Sequence, residues 1–219
     1  MILTAWFKSG TRDSEAFAKD TPLDDVRFVV LDTELTSLNG KTNRLLSVGG
    51  IALTGTKIHL GDQFYRVVNP GVAVPAESVV IHKLRPEDVA NGESPAAVFR
   101  ELQEFIAGSI LMGHFAEIDR NVLRKEFASC GLELTNPMVC TARVQRWIIQ
   151  KSGYKEDQFR DLENVDLETL AKSYGLDHSD AHHALADAFM TAHLWQRQKH
   201  ALEKLGAPNL GQLLKIARV

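Results

Sequence analysis

Val26-Arg27-Phe28-Val29-Val30-Leu31-Asp32-Thr33-Glu34 is the stretch on which the fold turns. Phe28 to Leu31 is apolar without alternation, which suits a strand buried on both faces and therefore central in a sheet. The run ends in two carboxylates one residue apart. Residues two apart on an extended chain point to the same face, so Asp32 and Glu34 project together from the carboxyl end of that strand. Two acids side by side repel unless something positive lies between them. Two solvated loop acids would look the same in isolation, so the pair acquires chemical meaning only if other acids join it.

Outward from that strand, Leu45 to Leu53 and Lys57 to Val68 read as a hairpin turned at Thr54-Gly55-Thr56. Asn69-Pro70-Gly71 ends it, and a loop is expected as far as Glu93. Ser94-Pro95 offers an N-cap followed by proline at the first helical position, opening a helix to about Ala107. Beyond it strands and helices alternate. Ile110 to Met112 is a short strand, Glu117 to Ser129 a helix closed by Gly131, and Met138 to Cys140 another strand. Helices are expected at Ala142 to Gln150, at Asp166 to Tyr174 with Gly175 as its stop, and from about Ala181 to Leu205. Ser152 to Asn164 reads as a polar surface loop, and Ser14 to Lys19 as a short helix-like lead. An antiparallel opening followed by interleaved strands and helices implies an α/β fold, a mixed sheet flanked by helices. The divisions expected are residues 1–25 as an N-terminal extension, 26–205 as the main domain and 206–219 as a helical tail.

Two later segments could join the first acid pair. In Gly113-His114-Phe115-Ala116-Glu117-Ile118-Asp119 a strand passes through glycine into a helix, with Asp119 in the first turn. The helix dipole favours a carboxylate there, so for this segment alone an ordinary capping role is the better explanation. Asp180-Ala181-His182-His183-Ala184-Leu185-Ala186-Asp187-Ala188 runs into the last long helix, and its alanines permit a close backbone approach to another element. On an ideal helix His182 and Asp187 would lie about 140° apart. His182 therefore belongs at the helix start or in the loop before it. From there an imidazole, with an unperturbed pKa of about 6.5, suits a general base near neutral pH.

Taken together, these segments resemble the DEDDh 3′-5′ exonucleases, the group that includes the proofreading epsilon subunit of bacterial DNA polymerase III, ribonuclease T and oligoribonuclease. The signature positions match as Asp32 and Glu34, then Asp119, then His182 and Asp187. The resemblance runs from about Phe28 to Leu194 and takes in Asn69-Pro70 and Ile81-His82-Lys83-Leu84. It implies a ribonuclease-H-like fold and two divalent cations, Mg²⁺ or Mn²⁺. By that resemblance Asp32 bridges both ions, Glu34 and Asp187 hold one, Asp119 reaches mainly through water, and His182 takes a proton from the attacking water. Leu35 and Thr36, which follow the first acids, are expected along the terminal nucleotide, with Leu35 pressed against either a base or the sheet; His82 and Leu84 as the base wall; His114 and Phe115 as further contacts. Three departures bear on those contacts. Leu35-Thr36-Ser37 replaces the usual Thr-Thr-Gly, Phe115 stands where asparagine is common, and Cys140-Thr141 replaces Asp-Thr. Phe115 suits stacking on a base and suits burial equally.

Composition bounds the partners. The chain has 219 residues, 44% hydrophobic and 24% charged, enough for one stable core. No apolar run approaches the ~18 to 20 residues of a membrane span, and the two cysteines have neither metal-finger nor disulfide-scaffold spacing. The expectation is a soluble cytoplasmic protein. A net charge of −3 runs against nucleic-acid binding, unless acids gathered in one site hold cations that reverse the local sign. The expected partners are single-stranded DNA or RNA 3′ ends, with a DNA polymerase or a second copy of the chain as protein partner. The alternative from another class is a catalytically weak module that binds nucleic acid or a polymerase.

Overall fold

The computed structural model describes residues 17–153, 165–176 and 182–219. Five strands form one mixed sheet: β1 (Arg27–Leu35), β2 (Leu45–Thr54), β3 (Lys57–Val67), β4 (Ile110–Gly113) and β5 (Met138–Cys140), in the order β3-β2-β1-β4-β5. β1 pairs antiparallel with β2 and parallel with β4, so it is central, as its uninterrupted apolar run predicts. Its alternate residues enter separate cores. Val29 and Leu31 pack with Val98, Phe99 and Leu102 of α3 (Pro95–Phe105) and with Val122, Leu123 and Phe127 of α4 (Glu117–Ser129). Phe28 and Val30 pack on the other face with Val144 and Ile148 of α5 (Thr141–Lys151), Trp195 and Leu202 of α7 (Ala184–Lys204), and Leu210 and Leu213 of α8 (Leu210–Ala217). α6 (Leu167–Ser173) is capped by Asp166, whose carboxylate accepts from the Thr169 amide at 2.8 Å. Each fully buried leucine or phenylalanine contributes about 1.5–3 kcal/mol, so the helices on both faces hold β1 rigidly beneath the acids at its end.

Several details differ from the sequence reading. The segment expected as a loop before Glu93 contains two short helices, α1 (Ala76–His82) and α2 (Pro86–Ala90). Their starts carry no serine, threonine, asparagine or aspartate cap. α2 is instead fixed by Arg85, whose amide and guanidinium both donate to the Asp88 carboxylate at 3.0 Å. The last long helix begins at Ala184 rather than near Ala181, because His182 has a left-handed backbone (φ 68°) that cannot continue a helix. Ala181 itself, most of the Ser152 to Asn164 loop and Ser14 to Ala16 of the lead lie outside the described residues. Phe17 to Lys19 form a bend and the start of a turn rather than the helix expected there.

The C-terminal segment is integral to the described fold. Val219 donates its amide to the Met138 carbonyl at 3.0 Å, and Arg218 bridges Val139, extending the β5 edge. Leu210 and Leu213 are fully buried. No described helix is long and apolar enough to cross a membrane.

Candidate active site

The alternation of β1 sorts the acids by face. Asp32 and Glu34 share the parity of Phe28 and Val30 and so stand on the side covered by α7; Thr33 shares the parity of Val29 and Leu31 and turns toward α4. α7 brings Asp187 in over the first side. Carboxylate oxygens of Asp32, Glu34 and Asp187 lie within 4.8 Å of one another. Asp119 arrives from the α4 side, in the first turn of that helix, and accepts a 2.6 Å hydrogen bond from the Thr33 hydroxyl. Both flanking helices thus deliver one acid to the end of the same strand.

The close approach of α7 depends on an absent side chain. Gly49 pairs with Asp32 across the β1–β2 ladder, and a Cβ there would lie 2.2 Å from the Leu185 nitrogen and 2.3 Å from the Ala184 carbonyl carbon. Any other residue at 49 would hold the α7 start, and Asp187 with it, away from the sheet. A glycine inside an otherwise apolar strand signals such an approach. Thr33 and Gly49 are therefore two supporting residues that carry no charge of their own and so do not stand out in the acid pattern of the sequence.

The electrostatics are those of crowded negative charge. Burial, then Asp119, Asp187 and Glu34, raise the Asp32 pKa well above the usual carboxylate range. Burial, then Asp187 and Asp119, push Glu34 up to about 8. Asp119 rises to about 7 through burial, opposed by the Thr33 hydrogen bond. The donor set is made only of carboxylate oxygens, which suits hard divalent cations such as Mg²⁺ and Mn²⁺. A cation here would relieve the repulsion among the acids and offset the cost of burying them ionised.

His182 sits at the edge of this cluster, exposed to solvent. Its amide donates to Asp187 Oδ2 at 3.0 Å, a contact that spans the gap between loop and helix. Among the described residues only Lys83, Phe115 and His182 are non-glycine positions with positive φ. Two of the three lie in the segments that carry the third acid and the histidine.

The residues expected to touch substrate are placed differently from the acids. Leu35 follows a β-bulge after Glu34 and turns into the α3–α4 core with Leu45, because its parity is that of Leu31 rather than of the acids. Thr36 is buried and closes the following loop, its hydroxyl accepting from the Arg44 amide at 3.0 Å. His114 is buried with both nitrogens engaged: Nε2–H donates to the Val165 carbonyl at 2.6 Å, leaving Nδ1 to accept from the Thr141 hydroxyl at 2.8 Å. Burial lowers its pKa to about 4, so the ring is neutral and ties the β4–α4 corner to α5 and α6. His82 is buried, with Nδ1 accepting from the Leu84 amide at 3.0 Å. Leu84 is half-exposed; Phe115 is half-buried, packed against the α3–α4 core and edge-on to His114. Leu35, Thr36, His82 and His114 are therefore buried side chains, and of the residues expected at the substrate only Leu84 and Phe115 are part-exposed.

Comparisons with known proteins follow the same lines. Residues 29–195 match the model of a family described as exonuclease, the RNase T family. A DNA polymerase III subunit epsilon-like protein of Rhodobacter capsulatus is 28% identical over 210 residues, covering 94% of this chain and 28% of that protein. A PolC-type DNA polymerase III of Thermotoga maritima is 25% identical over 198 residues, covering 90% of this chain and 14% of the polymerase. The chain thus spans under a third of the length of these relatives. Among solved structures, the zinc-bound E. coli exonuclease I complex with single-stranded DNA superposes with a TM-score of 0.71 at 20% identity, over 83% of this chain and 42% of that one. At that identity the likeness speaks for the fold: a mixed five-stranded sheet flanked by helices, as in ribonuclease-H-like exonucleases.

Proposed function

Since the chain belongs to the exonuclease family, we propose that it is a 3′-5′ exonuclease that releases nucleoside monophosphates from single-stranded or frayed 3′ ends. The observation that carries this reading is the gathering of Asp32, Glu34 and Asp187 within 4.8 Å, with Asp119 joining from the opposite face. Four carboxylates at one strand end would repel a polyanion, and a pure binding module would gain nothing from them. As a holder of two divalent cations, Mg²⁺ or Mn²⁺, the cluster becomes a site for phosphodiester hydrolysis. Bound there, the cations would stabilise the negative charge that develops on the phosphate oxygens.

The protein's own residues divide the remaining work. Asp32, Glu34 and Asp187 would hold the cations directly, with Asp119 braced by Thr33 as the fourth ligand. His182 would act as general base: exposed, anchored to Asp187 through its amide, and on a loop rather than in the helix, it is free to meet a water at the cluster. The water oxygen bonds to the terminal phosphorus, His182 takes the water proton, and the bond to the 3′-oxygen of the preceding nucleotide breaks. That oxygen then gains a proton from solvent. Relatives named for DNA polymerase III, and an exonuclease I structure holding single-stranded DNA, favour DNA over RNA and make a polymerase the first partner to test.

Polarity and substrate class are read together by giving the protein one single strand, as DNA and as RNA, labelled at either end. With a 5′ label the expected product is a ladder, and with a 3′ label an immediate mononucleotide, faster for DNA. Mononucleotide released first from the 5′ label would reverse the assignment, and internal fragments alone would replace it with an endonuclease.

A further inference from the structure

We infer that Tyr65 and His183 form an aromatic clamp that positions His182, with Tyr65 a positioning residue for the reaction; this rests on His182 being the base. Tyr65 on β3 pairs with Gly49 on β2, which pairs with Asp32 on β1, so Tyr65 and Asp32 share one row on one face of the sheet. Gly49 contributes no side chain to that row, and the α7 start fills the space above it. Tyr65 is the next side chain along the row, and its ring stacks on the His183 ring with centroids 4.6 Å apart and planes 25° from parallel.

His183 is the N-cap residue of α7, yet its side chain makes no capping hydrogen bond. An N-cap serine or aspartate would use its oxygen on the helix amides; here the imidazole is given to Tyr65 instead. The His183 carbonyl accepts from the Asp187 amide at 2.9 Å, and the His182 amide donates to Asp187 Oδ2 at 3.0 Å. Between them stands the left-handed backbone of His182, a conformation disfavoured for any residue but glycine and kept only where neighbours enforce it. Asp187 holds the segment from the helix side. The Tyr65 ring holds it from the sheet side, and a stacked aromatic pair is of the right strength to oppose the backbone preference. Removing the ring should let the His182 backbone relax and its imidazole leave the reactive position, with the acids untouched.

The test uses the full chain with Mg²⁺ and a 5′-labelled single-stranded DNA, comparing Tyr65→Ala, Tyr65→Phe, His183→Ala, His182→Ala and the Tyr65→Ala/His182→Ala pair. Tyr65→Ala is expected to lower kcat about 10-fold with KM little changed, the size of effect that one aromatic contact can exert on a positioned group. Tyr65→Phe keeps the ring and should restore wild-type turnover, and Tyr65→Ala should add nothing to His182→Ala. A readout independent of turnover is amide exchange across residues 182–187 in the cation-free protein. It should accelerate in Tyr65→Ala and in His183→Ala, but not in Tyr65→Phe. Wild-type kcat and exchange in Tyr65→Ala, beside an impaired His182→Ala, would overturn the clamp and leave the base in place. Equal loss in Tyr65→Phe, or a multiplied loss in the double variant, would overturn it too, since the effect would then come from the hydroxyl or bypass His182. Normal turnover by His182→Ala would instead remove the base, and with it any catalytic meaning of the clamp.

Discussion

At the residue scale, exposed groups beside the acid cluster differ from buried groups that hold the surrounding fold, and the two histidines fall on opposite sides of that line. His182 is exposed and strained, whereas His114 is buried and satisfied on both nitrogens. Loss of a positioned general base costs about 10²–10⁴ in rate, so His182→Ala should lose that much kcat in steady-state assays of DNA shortening. A loss confined to KM would mean that His182 only binds. For His114 the expectation concerns stability. Its folded pKa of about 4 lies below the unfolded value of 6.5, so the unfolded chain takes up a proton first as pH falls. Its contribution is complete above pH 6.5 and is lost as pH falls toward 4, a span of about 3 kcal/mol by the linkage relation. The raised carboxylates of the acid cluster act in the opposite direction and do so equally in both proteins, so the decline is read as a difference: the urea midpoint of wild type relative to His114→Gln should fall between pH 7 and pH 4.5. The sequence displayed the four candidate acids and the candidate base but not this division. Leu35's parity with Leu31 was available from β1 alternation, while the engagement of His114 by Thr141 and Val165 depends on chain 27 and 51 residues away.

At the element scale, the site exists because a strand and two helix starts meet. The buried apolar run made β1 legible, and glycine-terminated helices such as α4 were legible for the same local reasons. α1 and α2 were not, because their starts rest on a Pro75 N-cap and on the Arg85–Asp88 pairing rather than on a serine or asparagine. The junction most sensitive to change is Gly49 against Ala184 and Leu185. Gly49→Ala cannot be accommodated without moving the α7 backbone, so it should destabilise by about 3 kcal/mol, the upper range for overpacking, and should displace Asp187. A thermal melt together with Mn²⁺ binding checks both effects; a wild-type melt with wild-type Mn²⁺ affinity would mean that α7 does not lie against Gly49.

At the scale of the whole molecule, two cores clamp the strand that carries the acids, and the C-terminal segment belongs to one of them. Leu210 and Leu213 are fully buried with Phe28 and Trp195, and Trp195 donates its indole N–H to the Gly55 carbonyl at 2.9 Å. Cutting the chain after Leu205 should therefore lower stability by about 3–6 kcal/mol from those two leucines alone, visible as a lost or sharply lowered melting transition. The order of the acids along the sequence foretold the whole arrangement better than composition did: a net charge of −3 argued against a polyanionic substrate until the acids were seen to share one site. What stayed hidden was which face each acid reaches from, because that follows from helix packing across the sheet. The shared site is expected to hold divalent cations used to shorten 3′ ends. The most direct test is the rate of 3′-nucleotide release from a 5′-labelled single strand as Mg²⁺ is raised from zero, for wild type beside Asp187→Ala. The expected result is a wild-type rate that starts at nothing and saturates, with the variant at least about 100-fold slower at every concentration; shortening in EDTA, or a variant that keeps pace with wild type, would contradict it.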